Sequence, residues 1–390
     1  MANGVFVGVS VGGFCADAAG AAAEASGAGG RAAGAGVGAG AAAGGGDPQL
    51  VKRVARAKPT RRMRERQPYG AFRPAAKSWP TIPRVDRSDV YLMSPPGESW
   101  SLRGRANFRS EQAAAVSPRR ARKEWLALAE AIEAAGATVV VLPPVDEALT
   151  GMPYAAEAGH VLAARRPGGK PRFLLPRMFA PHRARERDHW GPLAERLGFE
   201  VIDPGAGIWE GQGDVATFDG TTLLFFGGRT DRAGLTAALA HFDGEVQVIE
   251  LRQPAFHGNM ALLPLPHADK ILVCQDVIVG DGLDRLAARF GGWRLDPVSE
   301  SEIRSYATNG LPIGDRWLAP SVVPQRVKDR VAALGMTVIE LAMGELCEKA
   351  GGASRCLVCH APGVRDALTI PEENRLEQTR AKILSEPDDG

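Results

Sequence analysis

Apolar positions recur along the chain in a fixed order: an amphipathic helix, a glycine and a short strand. In the first case Trp125, Leu128 and Ile132 share one helix face, and Gly136 then precedes the apolar run 138–141. Spacings of three or four residues put side chains on one face of a helix. A glycine commonly ends a helix because it adopts a left-handed backbone at little cost. The pattern therefore predicts a helix packed by one face onto a strand.

The same order returns four more times. The helix faces and strands are, along the chain, Trp190, Leu193 and Leu197 with 199–202; Leu235, Leu239 and Phe242 with 246–251; Leu283, Leu286 and Phe290 with 293–295; and Val327, Val331 and Leu334 with 337–341. The helix-ending glycines are Gly136, Gly198, Gly244, Gly291 and Gly335. Five similar α/β units favour radial or solenoid repetition over a doubly wound sheet. An α/β fold with coincidental spacing is the alternative.

Composition is that of a globular protein with a sizeable core. The chain has 390 residues, of which 45% are apolar and 24% charged, which suits one or two domains. No apolar run approaches the roughly 18 residues that cross a bilayer, so we expect no membrane partner. Five cysteines, an odd and sparse set, favour a reducing compartment. We therefore expect a cytoplasmic protein.

Charge is distributed unevenly and predicts the domain boundaries. Ala and Gly make up 31 of the first 50 residues, residues 51–87 carry a net charge of +10, and residues 88–390 carry −6. We expect residues 1–87 to be a disordered tail, low-complexity and then basic. Residues 88–361 hold the repeats, and 362–390 form a charged tail. The basic segment lacks interleaved aromatic residues and any binding motif, so we expect no nucleic-acid partner.

Candidate functional residues occur in phase with the repeat. Glu157, Glu210, His257, Asn309 and Cys356 lie 12 to 21 residues after the five helix-ending glycines, each in the loop that follows a predicted strand. If the units surround one axis, these loops meet at one end and their side chains share a pocket.

Three interpretations compete for the run 351–360, Gly-Gly-Ala-Ser-Arg-Cys-Leu-Val-Cys-His. Haem attachment needs a secreted context and an axial partner, but we expect no export signal, and apolar strand-like residues flank the motif. A zinc site at Cys356, Cys359 and His360 lacks a second Cys or His cluster. A thiolate nucleophile at Cys356 fits the neighbouring Arg355, whose charge would lower the thiol pKa. The nucleophile is the favoured interpretation, and Cys274 and Cys347 are predicted to be small core residues.

A histidine and a carboxylate are candidate partners of the Cys356 nucleophile. His257 lies between apolar runs and can act as general acid and base. Glu210, in the run 209–214, can orient its imidazole, which gives the nucleophile–base–orienter logic of a catalytic triad. A structural histidine and a turn glutamate are the alternative. We expect no metal and no cofactor.

Residues 88–361 resemble the guanidine-modifying, or pentein, superfamily: arginine deiminases, dimethylarginine dimethylaminohydrolases and amidinotransferases. The matching segments are Trp-Glu-Gly-Gln-Gly-Asp at 209–214, Gly-Gly-Arg-Thr-Asp at 227–231, Phe-His at 256–257 and Gly-Gly-x-x-Arg-Cys at 351–356; Pro153–Gly159 matches more weakly. The resemblance implies a five-bladed ββαβ propeller, preceded here by the disordered extension.

The resemblance also implies roles for individual residues. Cys356 attacks the guanidinium carbon, His257 transfers protons, and Glu210 pairs with the imidazole or with the substrate. Glu157 accepts guanidinium N–H bonds, and Arg229 binds an α-carboxylate. Asp214 is the substitute for Glu210.

The sequence also departs from the family pattern. Asn259 stands where many relatives carry Asp, and Glu157 stands where Asp or Asn is usual. The change at Asn259 suggests a different guanidine or a loss of activity.

Three functions remain open at this point. The first is a hydrolase of a guanidine C–N bond that acts on an arginine-like or methylarginine-like small molecule. The second is an amidinotransferase, and the third is a non-catalytic propeller that binds a guanidine or a partner. The resemblance leaves room for a homo-oligomer.

Overall fold

Each repeated unit of the fold contains two antiparallel strands, a helix, and a third strand parallel to the second. The structure is a computed structural model that describes residues 88–103, 107–145, 147 and 149–387. The strands are β1 (Val90–Met93), β2 (Thr138–Val141), β3 (His160–Leu162), β4 (Arg172–Leu174), β5 (Glu200–Ile202), β6 (Val215–Phe218), β7 (Thr221–Phe226), β8 (Glu245–Glu250), β9 (Leu262–Leu265), β10 (Lys270–Val273), β11 (Leu295–Pro297), β12 (Leu311–Ile313), β13 (Arg316–Pro320), β14 (Thr337–Leu341) and β15 (Cys359–Ala361). The helices are α1 (Pro118–Ala134), α2 (Arg187–Leu197), α3 (Arg232–Leu239), α4 (Gly258–Ala261), α5 (Gly282–Phe290), α6 (Glu300–Ile303), α7 (Gln325–Ala333) and α8 (Leu376–Ser385).

The described strands form five three-stranded sheets of one pattern. Their strand orders are β15-β1-β2, β3-β4-β5, β6-β7-β8, β9-β10-β11 and β12-β13-β14. In every sheet the first pair is antiparallel and the second is parallel. A helix (α1, α2, α3, α5 or α7) joins each parallel pair. The first sheet takes β15 from the far end of the repeats, with Val90 opposite Ala361. This architecture confirms the predicted α/β class.

Four of the five predicted helix ends are confirmed: Gly136, Gly198, Gly291 and Gly335 lie at the cap of a helix or directly after it, whereas Gly244 follows the end of α3 by five residues. Gly136, Gly198, Gly244, Gly291 and Gly335 all have φ between 83° and 106°, the left-handed region that glycine enters without a steric penalty. A glycine with a left-handed backbone therefore lies between helix and strand in all five units.

Two local predictions were wrong. Helix α3 ends at Leu239, so Phe242 lies beyond the helix, and Leu239 is 36% exposed. Trp293 lies in the 3₁₀ turn Gly292–Arg294 before β11 and is 45% exposed. Its ring packs against the cations of Lys270 and Arg294 instead, at 4.9 and 5.1 Å, because an indole face attracts positive charge.

The core lies between the helices and the sheets. Trp125 on α1 and Trp190 on α2 are both at most 1% exposed, which confirms the predicted inward faces. Cys274 and Cys347 are fully buried, as predicted. The four cysteines of the described residues carry free thiols.

The charged segment after residue 361 folds onto the first unit. Leu376 and Ile383 of α8 enter the core beside α1, and Glu386 accepts two hydrogen bonds of 2.7 Å from Arg122. The predicted N-terminal tail, 1–87, lies outside the described residues. Within the described part of the chain, no helix has the length and apolarity needed to cross a membrane.

Candidate active site

The candidate residues lie in equivalent connections of the fold. Each connection runs from the third strand of one sheet to the first strand of the next, and together they carry Glu157, Glu210, His257, Asn309 and Cys356. Glu157 and Cys356 line one cleft together with Arg229. The cleft is open to solvent, and its lining combines charged side chains with the buried cysteine.

The imidazole of His257 lies between two carboxylates. Its Nε2 is 2.7 Å from Glu210 Oε2, and its Nδ1 is 3.2 Å from Glu157 Oε1. The Nε2 contact is a hydrogen bond. The Nδ1 contact lacks the geometry of one, so Nδ1 has no hydrogen-bond partner among the described residues. His257 and Glu210 are fully buried and Glu157 nearly so. One ring nitrogen is therefore anchored while the other keeps its hydrogen-bonding capacity.

Glu210 is fixed from three sides. Its Oε1 accepts a hydrogen bond of 2.8 Å from the backbone N–H of Phe179, and Arg229 Nη1 lies 3.6 Å from its Oε2. Burial raises the pKa of Glu210, but the hydrogen bond with His257 and the charges of Arg229 and His257 outweigh it and bring the pKa to about 2. The group is an anion at neutral pH and orients the imidazole, as a triad acid does.

Asp214 lies behind the histidine and does not line the cleft. Its Oδ2 accepts from the Thr230 hydroxyl at 2.6 Å, and its Oδ1 accepts from the Gly258 N–H at 2.8 Å. Burial raises the pKa of this carboxyl to about 6, against lowering by His257 and by the hydrogen bonds. Both oxygens are thus occupied, and Oδ1 holds the start of α4, directly after His257.

Cys356 is buried, and its sulfur contacts the side-chain amide of Asn259. Asn259 Nδ2 lies 3.6 Å from Sγ. Burial raises the pKa of the thiol, although hydrogen bonds from the Ala353 backbone and the Asn309 side chain, and the charge of Arg355, act in the opposite direction. The sequence-based expectation of a lowered thiol pKa is wrong for the unliganded site, because desolvation of the thiolate outweighs the neighbouring cation.

Arg355 mainly binds backbone carbonyl groups, whereas its position beside Cys356 suggested an effect on the thiol pKa. Its Nη1 donates to the carbonyl oxygens of Leu262 at 2.8 Å and of Thr308 at 2.9 Å. Burial lowers the pKa of this guanidinium to about 10. Arg355 therefore ties the Cys356 loop to two neighbouring connections.

Arg183 is the main site residue that sequence reasoning missed. It is buried, and its Nε and Nη2 bind both oxygens of Glu186, at 2.9 and 2.7 Å. Its Nη1 donates to Glu157 Oε2, and Nη2 donates to the Gly151 carbonyl at 3.2 Å. Glu157 therefore already holds a guanidinium that belongs to this chain. No motif marks Arg183 among the 47 lysines and arginines, so only its contacts reveal it.

Arg229 points into the cleft against an aromatic ring. Its guanidinium carbon is 4.5 Å from the centre of the Phe256 ring, and its side chain is 10% exposed. Its backbone N–H donates to the Phe256 carbonyl. Stacking and the Glu210 contact together fix a partly exposed cation at the cleft wall.

The zinc and haem interpretations find no support in the geometry. Cys359 Sγ donates to the Gly159 carbonyl, and His360 stacks on Tyr91 and contacts Asp89. Among the described residues, one group has ligand atoms close enough together for a metal ion, and it is the candidate site itself: Glu157, Glu210 and His257. Both carboxylates already contact guanidinium groups, which supply positive charge.

Comparison with known proteins identifies the fold. No family model matches the chain. An uncharacterized protein of Caenorhabditis elegans is 25% identical over 249 residues, which is 62% of this chain and 84% of that protein.

Solved structures are similar over most of the described region. The N-terminal domain of ArgZ, an arginine dihydrolase of cyanobacteria, has a TM-score of 0.63 at 24% identity over 70% of this chain and 97% of that domain. One of its structures contains a covalently bound reaction intermediate. AgrE, in a complex with ornithine and NAD+, has a TM-score of 0.63 at 20% identity, and the match covers 74% of this chain but 40% of AgrE. A dimethylarginine dimethylaminohydrolase has a TM-score of 0.54 at 19% identity over 70% of this chain and 98% of its own. The predicted pentein assignment is confirmed at the level of the fold.

Proposed function

We propose that the protein is a cysteine-dependent hydrolase of a guanidine C–N bond, with an arginine-like or methylarginine-like small molecule as substrate. We further propose that its five sheets are the blades of the propeller that the resemblance implies. The observation that carries the functional proposal is the placement of His257 between two buried carboxylates, beside a cleft that contains a buried cysteine.

The first step forms a covalent intermediate. The Cys356 thiolate attacks the central guanidinium carbon, a C–S bond forms, and the carbon becomes tetrahedral. His257 then gives its Nδ1 proton to the leaving nitrogen, and the C–N bond breaks. An amidino group remains on the sulfur and an amine or ammonia departs. A cationic substrate beside Sγ favours the thiolate, which offsets the effect of burial on the thiol pKa.

The second step releases the product. His257, now neutral, takes a proton from water as the oxygen attacks the amidino carbon. The C–S bond then breaks, the remaining proton of the water passes to solvent, the thiolate returns, and the product is the ureido compound. Glu210 keeps the imidazole in one orientation throughout and stabilises its protonated form.

The cleft also suggests how the rest of the substrate is held. Arg229 is a fixed, partly exposed cation at the cleft wall, suited to a carboxylate. Glu157, proposed to receive the substrate guanidinium, contacts Arg183, so substrate binding involves a rearrangement of that pair. Asp214 acts through Gly258 as a positioning residue.

Intact-mass analysis tests the proposal directly. The protein is mixed with L-arginine or a methylarginine, quenched in acid and weighed, with release of amine and ureido product followed in parallel. We expect an amidino adduct that disappears in Cys356→Ser and persists in the control Cys359→Ser. Turnover that survives Cys356→Ser would overturn the proposal.

Adding an acceptor amine such as glycine separates the related activities. A ureido product formed without the amine supports the hydrolase. A new guanidine that appears only with the amine would identify an amidinotransferase instead. Ligand binding with no adduct and no product would identify a non-catalytic binding protein.

A further inference from the structure

We propose that Gln212 is a positioning residue: its side chain links the connection that carries Glu210 to the strand that follows Cys356, and so keeps the acid, the histidine and the nucleophile in fixed relative positions. The link itself stands independently of the proposed function, whereas its effect on catalysis rests on that function.

The strand that follows Cys356 has an open edge. Strand β15 lies at the end of its sheet and pairs with β1 on one side. The other edge of such a strand presents backbone N–H and C=O groups that need partners. At His360 both groups pair with one side chain: the N–H donates to Gln212 Oε1 at 2.6 Å, and the C=O accepts from Gln212 Nε2 at 2.8 Å. The amide therefore takes the place of a neighbouring strand at this residue.

The second hydrogen of the Gln212 amide also faces an acceptor. Its Nε2 lies 3.4 Å from His160 Nδ1. Burial and the charge of His360 lower the pKa of His160 to about 3, so the ring is neutral at neutral pH and one of its nitrogens can accept a hydrogen bond. The amide is thus engaged through its oxygen and through its nitrogen, which holds it in one position.

Hydrogen bonds join three of the candidate connections in a closed triangle. The Ala156 N–H donates to the Cys356 carbonyl at 3.0 Å, and the Gln212 N–H donates to the Gly159 carbonyl at 2.9 Å. The pair between the Gln212 side chain and His360 is the third side. Two sides of the triangle are backbone bonds, and the third depends on a side chain. Substitution of Gln212 can therefore open the triangle while the other two links remain.

The backbone beside Gln212 lies against the catalytic imidazole. A methyl group at Gly213 would be 3.3 Å from Cγ and Nδ1 of His257, and Glu210 Oε2 lies 2.7 Å from Nε2 of the same ring. A shift of this turn would move Glu210 and the imidazole relative to Cys356. The link from Gln212 to β15 opposes that shift.

Amide hydrogen exchange tests the link without any substrate. Exchange of the His360 amide is followed by mass spectrometry of overlapping peptides in the wild type and in Gln212→Met, which keeps the length of the side chain but lacks the amide. We expect about tenfold faster exchange at His360, as for loss of a hydrogen bond, and unchanged exchange in β10. Equal exchange at His360 in both proteins overturns the link, and so does an equal rise in β10, which would reflect a general loss of stability.

Gln212→Glu tests the effect on catalysis. A protonated carboxyl has the shape of the amide and can donate to the His360 carbonyl, whereas a carboxylate places a negative oxygen against it. The titratable groups nearby are His160, His360 with its partner Asp89, and Glu210. We expect kcat of the variant, divided by that of the wild type at each pH, to rise about tenfold from about pH 8 to about pH 5.5. KM should change less, since Gln212 does not line the cleft.

Division by the wild-type value removes the titration that the two proteins share. Gln247 is the matched control, because it is a half-buried glutamine on β8 whose Oε1 has no hydrogen-bond partner among the described residues. Gln247→Met should leave exchange at His360 unchanged, and Gln247→Glu should give a ratio that does not vary with pH.

Two results overturn the effect on catalysis: a pH-independent ratio for Gln212→Glu, or a wild-type kcat in Gln212→Met. If the wild type converts neither L-arginine nor a methylarginine, the proposed function fails and the effect on catalysis fails with it. The hydrogen-exchange result still decides the link in that case.

Discussion

The guanidinium of Arg183 contacts the carboxylate of Glu157 in the same cleft that contains Cys356. Arg183 is held there by Glu186 and by the Gly151 carbonyl. A side chain with the chemistry of the proposed substrate group is thus bound at one of the acids expected to recognise it. The protein itself demonstrates that this part of the cleft accommodates a guanidinium.

Arg183→Ala should destabilise the protein and be rescued by a small guanidinium. Removing one partner of a buried ion pair costs about 3–5 kcal/mol, because the opposite charges stay buried. Millimolar guanidinium or methylguanidine should restore part of the lost thermal stability, since either ion fits the vacated position between Glu157 and Glu186. Differential scanning calorimetry measures the effect.

Methylammonium at the same concentration is the matched control for this rescue. It carries the same charge without the planar fork of donors that pairs with carboxylates. Equal recovery with both ions would mean that charge alone is responsible and that the position has no preference for a guanidinium.

Glu210→Gln should impair catalysis more than folding. The substitution keeps the size of the side chain and a hydrogen-bonding group near His257 Nε2, but it removes the charge that stabilises the protonated imidazole. We expect kcat to fall by about 10²–10⁴, the range of general acid–base contributions, with a shifted pH–rate profile. Steady-state kinetics against pH measures both. An unaltered profile would assign Glu210 a purely structural role.

Asp214→Asn should change how stability depends on pH. The folded-state pKa of about 6 lies above the ordinary value of 3.8, so folding favours the protonated carboxyl. Wild-type stability relative to the variant should therefore fall as pH rises from about 4 to about 6 and stay level above that range. The expected change is about 3 kcal/mol. Urea unfolding at several pH values measures it, and a difference that does not vary with pH would contradict it.

Gly352→Ala should disrupt the Cys356 loop. A methyl group at this position would overlap the Tyr154 ring and lie 3.3 Å from Cys356 Cβ, so either the ring or the loop has to move. We expect a large loss of activity. Gly97→Ala is the control, because its methyl group would meet nothing closer than 3.7 Å. Activity and melting temperature of both variants are the measurements, and equal activities would show that the loop accommodates the extra carbon.

Much of the secondary structure follows from local pattern. Four of the five predicted helix-ending glycines and most of the predicted helices and strands agree with the structure, because amphipathic spacing and left-handed glycines act over a few residues. The misplaced ends at Phe242 and Trp293 have the opposite cause. Both residues are apolar and fit the core pattern of the sequence. In the structure, however, α3 ends before Phe242 and β11 begins after Trp293.

Candidate residues were partly predictable for a related reason. Glu157, Glu210, His257 and Cys356 stood out by residue type and by their common position after a strand. Arg183 had no such mark, and Asn259 was noted as a departure from the family pattern but not for its contact with Cys356. Contacts across 97 residues, as between Asn259 and Cys356, depend on how the sheets are arranged, which local periodicity does not encode.

The sequence by itself determined the repeating helix–glycine–strand units, the α/β class and the residue types available for chemistry, since each depends on local spacing or side-chain identity. The tertiary structure alone decided the electrostatics. Burial raises the pKa of the Cys356 thiol despite the charge of Arg355, and it lowers the pKa of the Arg355 guanidinium. Packing also brings Glu157 into contact with Arg183. Desolvation and the distances between charges arise only when distant segments pack together, and those two quantities set the pKa shifts of Cys356 and Arg355.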